Sequence, residues 1–276
     1  GDYEKAESLL KQALEISKEN FGLEHFNTST ALNNLALIYR SIGQYDEAKP
    51  LLKESLEIFK KIFGLEHPYI ATSLGNLGDV YQELGEYKKA APLFIKSLEI
   101  RKKVFGLEHP DTAIALSNLA RFYRTIGHYR DTESLYEQSL EIYKKVFGLN
   151  HPDTARALNN LGILYGHELG QYKKAAPLFI KSLEIRKKVL GLEHPDTAKA
   201  LNNLGVLYTF LGDYEKAESL LKQCLEIRKK VLGLEHPETV TSLNDLALVY
   251  FAIDQFEKAE TLFKEALDIS KKVSGL

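Results

Sequence analysis

The phrase Gly-Leu-Glu-His-Pro, or a near copy, returns along this chain at an almost fixed step. FGLEH begins at Phe21 and Phe63, FGLEHPDTA at Phe105, FGLNHPDTA at Phe147, and LGLEHP at Leu190 and Leu232. The steps are 42, 42, 42, 43 and 42 residues. A period of roughly 20 to 50 residues replaces one spherical core with a stack of like units, each burying its apolar face against the next.

One unit, residues 191–232, shows what is stacked. Ala198, Leu201, Leu204, Gly205 and Tyr208 share one face of a first helix. His194-Pro195-Asp196-Thr197 supplies its start, with Pro where no amide partner is needed and Asp beside the positive helix end. Gly212 follows its last apolar position. A second helix from Tyr214 carries Ala217, Leu220, Leu221, Cys224, Leu225, Ile227 and Val231 on one face, with Lys229 and Lys230 at its carbonyl end. Extended to the whole chain, the pattern predicts a half unit at 1-22. Full pairs follow at 23-64, 65-106, 107-148, 149-191, 192-233 and 234-276, all in one array. First helices are expected near 27-42, 69-84, 111-126, 153-168, 196-211 and 238-253. Second helices are expected near 45-62, 87-104, 129-146, 172-189, 214-231 and 256-273.

Small residues recur where helices must approach closely. Ala36, Gly78, Ala120, Gly162, Gly205 and Ala247 form one set, and Ala13, Ser55, Ser97, Ser139, Ser182, Cys224 and Ala266 another. The complementary large set is Leu10, Leu52, Phe94, Tyr136, Phe179, Leu221 and Phe263. The lone Cys224 therefore reads as a small packing residue. Pro50, Pro92 and Pro177 fall near the first turn of second helices, where few bonds are lost, so a slight bend is expected rather than a break. The fourth pair has one extra residue in Tyr165-Gly-His-Glu-Leu-Gly170, which predicts a wider turn or a π-type bulge. Asp254 replaces the usual turn glycine in the last pair, so that turn is expected to be looser.

The order L-G/A-x-x-Y-x-x-x-G-x-Y-x-x-A-x-x-x-L/F-x-x-A/S resembles the tetratricopeptide repeat. The 42-residue period, with LNNLA/G-x-L/I-Y and G-L-E-H-P-D, is similar to the kinesin light chain subtype. The resemblance implies an all-α, right-handed superhelical solenoid whose first helices line a concave groove.

Composition removes several function classes. The 276 residues carry 36 basic and 38 acidic side chains, a formal net charge of -2, which indicates neither nucleic acid nor membrane as partner. No apolar run approaches the roughly 18 residues of a membrane span. The chain begins Gly-Asp-Tyr without Met and reads as a piece of a longer protein, for which a cytoplasmic location is expected. His25, His67, His109, His151, His194 and His236 share one unit position. Neighbouring units lie roughly 10 Å apart, so these read as helix-start residues rather than metal ligands. No metal, cofactor or nucleophile–base constellation is legible, and an enzyme is not expected. The Lys- and Glu-rich second helices, such as Glu184-Ile-Arg-Lys-Lys188, read as a solvated outer face.

The candidate site lies on the first helices. Asn34, Asn76, Asn118, Asn160 and Asn203 form a ladder interrupted by Asp245. An amide donates and accepts at once, so it can hold the backbone of an extended peptide or tie adjacent helices together. Arg121 and Arg124 in the third pair, and Arg156 and Lys199 at another shared position, give a basic middle, with Asp79, Gln82 and Glu83 as an acidic spot before it. The expected partner is a protein or peptide segment of acidic character, since Arg grips carboxylates in bidentate fashion. Kinesin light chains, which this chain resembles, recognise tryptophan-plus-acidic motifs. Two other readings stay open: a sensor module of a larger signalling ATPase or protease, and a self-assembling array whose exposed ends associate.

Overall fold

The computed structural model describes residues 3–274; Gly1, Asp2, Gly275 and Leu276, where the sequence places an opening turn and a further linker, lie outside the described residues. Thirteen α-helices are present among the described residues. The first helices of the pairs are α2 (Phe26–Ser41), α4 (Pro68–Glu83), α6 (Pro110–Thr125), α8 (Pro152–Ile163), α10 (Pro195–Leu211) and α12 (Pro237–Ala252). The second helices are α1 (Tyr3–Phe21), α3 (Tyr45–Phe63), α5 (Tyr87–Phe105), α7 (Tyr129–Phe147), α9 (Tyr172–Leu190), α11 (Tyr214–Val231) and α13 (Phe256–Ser274). They group into two compact units, Gly1–Ile142 and Tyr143–Leu276.

Each first helix begins the same way. Its N-cap is the repeated histidine, in extended backbone, whose Nδ1 accepts the amide two residues on: Asn27 at 3.2 Å, Asp111 at 3.1 Å, Asp196 at 3.1 Å and Glu238 at 3.2 Å, for example. The imidazole also stacks on the last aromatic of the preceding helix where one is present, as in Phe63–His67 at 4.2 Å and Phe105–His109 at 4.6 Å. The linker is closed by Thr28, Thr112, Thr154, Thr197 and Thr239, whose hydroxyls donate to the glycine carbonyl six residues back at 2.7 to 2.8 Å.

Small-against-large packing is realised in both units. A methyl added at Gly78 would lie 3.0 Å from Phe94, and one at Gly162 or Gly205 only 2.7 Å from Phe179 or Leu221. The serine set does more than save space. Ser97, Ser139 and Ser182 donate to the first-helix carbonyls of Ala71, Ala113 and Ala155 at 2.7, 2.9 and 2.7 Å, so each pair is pinned by a buried polar bond. Cys224 takes the same place, buried, with its Sγ near Asn202 and Ser242.

The three helices with internal proline run unbroken, as expected from the early position of the ring. The extra residue of the fourth pair is taken up in a π-helical turn at Leu164–Glu168. The turn at Asp254 departs from expectation. Asp254 adopts φ 60°, the conformation the glycines adopt elsewhere, and the turn bonds are kept, with Gln255 N donating to Tyr250 O at 2.9 Å. The turn is not looser; aspartate enters the left-handed region at a modest cost.

Candidate functional site

First helices within a unit touch one another directly, and the asparagine ladder runs along that seam. In the first unit Asn76 donates to Asn33 at 3.0 Å. In the second, Asn203 donates to Asn159 at 2.8 Å and Asn202 donates to Asp245 at 2.9 Å. The rule is constant: the first Asn position of one pair bonds the second Asn position of the next. Asn76 and Asn203 are thereby engaged in holding neighbouring repeats in register. Asn34 is exposed, and Asn118 and Asn160 are half-buried.

Asp245 substitutes for asparagine in the last rung. Burial pushes its carboxyl above the usual range, opposed by the bond from Asn202 and by the charges of Arg228 and His167.

In the first unit the predicted Asp79 and Arg121 meet. Asp79 Oδ1 accepts from Arg121 at 2.6 Å, and its Oδ2 accepts from Arg40 at 2.6 Å. One carboxylate from α4 thus bridges guanidiniums from α2 and α6. Asn118, Glu83 and Tyr45 join these three around a concavity of about 500 Å³. Arg124 is half-buried on the same helix as Arg121, and Gln82 is buried rather than exposed to a ligand. Arg40 escaped the sequence reading, although it holds the same unit position as Arg124.

In the second unit Arg156 donates to Asp153 at 2.8 Å and to the Tyr143 hydroxyl at 3.0 Å, with its guanidinium over the Tyr143 ring. Burial works against its charge, and Asp153 and Tyr143 more than offset that. Lys199 is exposed and has no polar partner among the described residues.

Three second-helix arginines are buried against the first helices. Arg101, Arg186 and Arg228 are only 8 %, 5 % and 5 % exposed. Each reaches the start of the next first helix, at the backbone carbonyl of Asp111, Asp196 or Glu238. Arg186 therefore corrects the reading of Glu184-Ile-Arg-Lys-Lys188 as wholly outer surface; Lys188 is exposed, but Arg186 is not. The missed signal was positional: Phe59 and Tyr143 occupy the same unit position, and a site that accepts those rings is a buried one.

The three arginines are not equally compensated. Arg228 has the Asn202 and Ser242 side chains and the Glu238 carboxylate at 3.1 Å. Arg186 has the Asp196 carbonyl at 2.6 Å and its carboxylate at a loose 4.0 Å. Burial lowers the Arg186 pKa, Asp196 opposes this, and the nearby Arg156 charge adds to it.

Among the described residues no group of His, Cys, Asp and Glu is arranged to hold a metal, and no helix is long and apolar enough to cross a membrane. What the fold and these faces define is an all-α helical-repeat protein with a polar, arginine-bearing first-helix surface. The tetratricopeptide repeat profile matches residues 1–61, 29–103, 69–145, 129–188, 165–230 and 196–272. The chain belongs to the tetratricopeptide repeat family, and its long units are of the kinesin light chain-like type. A solved Podosopora anserina putative kinesin light chain with nearly identical repeats is 30% identical, covering 75% of this chain and 98% of that one, at a TM-score of 0.64. BtubC (BKLC) from P. vanneervenii is 20% identical over 100% of this chain and 94% of its own, at 0.67. A Rap protein complexed with competence and sporulation factor is 15% identical over 97% and 80%, at 0.65. No curated protein sequence matches the chain.

Proposed function

We propose that this chain is a non-enzymatic protein-interaction module that binds an extended acidic segment along its first-helix face, the surface that forms the groove in tetratricopeptide arrays. The observation that carries the reading is the state of Arg186. Its buried guanidinium has one short bond, a distant carboxylate and a second guanidinium nearby. Arginine stays protonated throughout the ordinary pH range, so this positive charge persists without close compensation. A carboxylate arriving between α8 and α10 would take up the remaining donors of Arg186 and Arg156, with the uncommitted Lys199 on the same face. The solved Rap protein, although it shares only the fold, is complexed with competence and sporulation factor, which supports ligand binding by such a fold.

Selection of a random displayed peptide library against the parent chain and an Arg156→Glu, Lys199→Glu double variant tests the reading. Enrichment of acidic sequences by the parent, lost in a variant that keeps its helical circular dichroism, is expected. Enriched peptides without acidic bias, or a bias that the variant keeps, would overturn it.

A further inference from the structure

The first unit carries a subsite of different character. The ladder rule requires an asparagine at position 75 to engage Asn118, as Asn33 engages Asn76. Gly75 stands there instead. The rung is broken, and the Asn118 side chain has no hydrogen-bond partner among the described residues. Its amide lines the same concavity as Arg40, Asp79 and Arg121. So do Tyr45 and Glu83, and neither has a polar partner among the described residues.

The charges of this concavity cancel. Arg40 and Arg121 bring two positive charges, and Asp79 and Glu83 two negative ones. They are not spent equally. Asp79 gives both oxygens to the arginines, which fixes the two guanidiniums side by side while using only one nitrogen of each. Their other donors and the free Glu83 carboxylate remain. A uniformly acidic ligand would gain at the arginines and lose at Glu83; a uniformly basic one would do the reverse.

We infer that this concavity reads a dipolar pair in a peptide, an acidic side chain held by Arg40 and Arg121 with a basic side chain held by Glu83. The inference rests on the reading that the first-helix face binds peptide, and it adds a specificity that the acidic reading lacks. Geometry sets the spacing. Asp79, which marks the arginine pair, and Glu83 are four residues apart on α4, hence about 6 Å apart on one face. In an extended peptide, side chains two residues apart point the same way and are separated by roughly 6.6 Å. The acid and the base should therefore be separated by one residue. The freed Asn118 amide can both donate to and accept from the backbone between them.

The test is fluorescence anisotropy on the whole chain with four labelled nonapeptides. Their centres are Glu-Ala-Lys, Lys-Ala-Glu, Glu-Ala-Glu and Lys-Ala-Lys in a Gly/Ser frame. One of the two dipolar peptides should bind the parent tightest, roughly two- to tenfold better than Glu-Ala-Glu, as expected for exchanging one exposed repulsion for one exposed attraction. Glu83→Lys, an exposed change at the end of α4, should make Glu-Ala-Glu the tightest ligand. The inference is overturned if Glu-Ala-Glu matches the dipolar peptides on the parent, or if Glu83→Lys leaves the ranking unchanged. Binding of Glu-Ala-Glu that responds to Arg156→Glu, Lys199→Glu but not to Glu83→Lys would keep the acidic reading and remove this one. Absence of binding by all four peptides would remove both.

Discussion

Arg186 and Arg228 occupy the same position in successive second helices and are buried to the same extent, yet replacing each by methionine should have different consequences. Methionine keeps most of the volume of the stem and removes the charge. At Arg228 the change leaves the buried side chains of Asn202 and Ser242, at 3.2 and 2.7 Å, without their donor, and the Glu238 carboxylate at 3.1 Å without its counter-ion. A buried acceptor stripped of its donor costs about 1–3 kcal/mol, and partial replacement by Cys224 brings the expected loss to about 2–4 kcal/mol. At Arg186 the vacated partner is the carbonyl of Asp196, an exposed residue, which water can satisfy. The desolvation cost of a poorly paired guanidinium disappears at the same time. The net effect should fall within about 1 kcal/mol of zero, so the two variants should differ by about 3 kcal/mol. Repeat arrays need not unfold in one step, so the measurement is hydrogen exchange of α9 to α12 amides together with urea titration. Equal losses, or a larger loss at Arg186, would refute the argument from compensation. If the argument stands, Arg186→Met is a stable variant in which ligand binding can be examined without loss of fold.

Three further outcomes are expected. Gly162→Ala and Gly205→Ala should each destabilise by about 1–2 kcal/mol in urea titration. The added methyl meets Phe179 or Leu221 at 2.7 Å, whereas Gly78→Ala, at 3.0 Å from Phe94, should be close to neutral. Asp254→Gly should raise stability by about 1 kcal/mol, measured the same way, because it relieves a left-handed backbone at φ 60°. Asp245→Asn should stabilise the second unit at neutral pH and have no effect in acid. The native carboxyl binds its proton more tightly than the unfolded one, which titrates near pH 3.9, so stability is lost as pH rises from there through the raised native value. Melting curves from pH 3 to 7 on parent and variant would show this; a gain that persists below pH 3.9 would contradict it.

The fold was almost fully legible, and for a physical reason. Most helix boundaries are written in residues whose action is local: the histidine cap of the first helices, proline in the first turn of five of them and glycine after the last turn of most helices. The repeat copies these signals, so one deciphered unit yields the rest to within a residue or two. The π-helical turn was legible because a single extra residue has few places to go. The site was legible only in part. Asp79 and Arg121 could be named because they depart from the repeat, but their joint bond to Arg40 depends on which first helices stand side by side. The buried arginines were misread because Glu-x-Arg-Lys-Lys looks like surface in one dimension. Only the rings at the same position in other units, Phe59 and Tyr143, reveal its burial. Asp254 shows the opposite error: the altered residue was visible, but its tolerance of the glycine conformation was not.

The π-helical turn at Leu164–Glu168 bears on how a chain of this kind can grow. Beyond it, the Ser182 hydroxyl still finds the Ala155 carbonyl, and Asn203 still finds Asn159, each at one residue more of separation than the matching bonds earlier in the chain. The odd residue is confined to a local bulge, and the interface between repeats is reproduced on both sides of it. Copies of unequal length are then interchangeable at their seams. Slippage or unequal recombination between such copies would yield foldable products even when the exchanged segments differ by a residue, leaving the number of repeats free to drift while their mutual fit stays fixed.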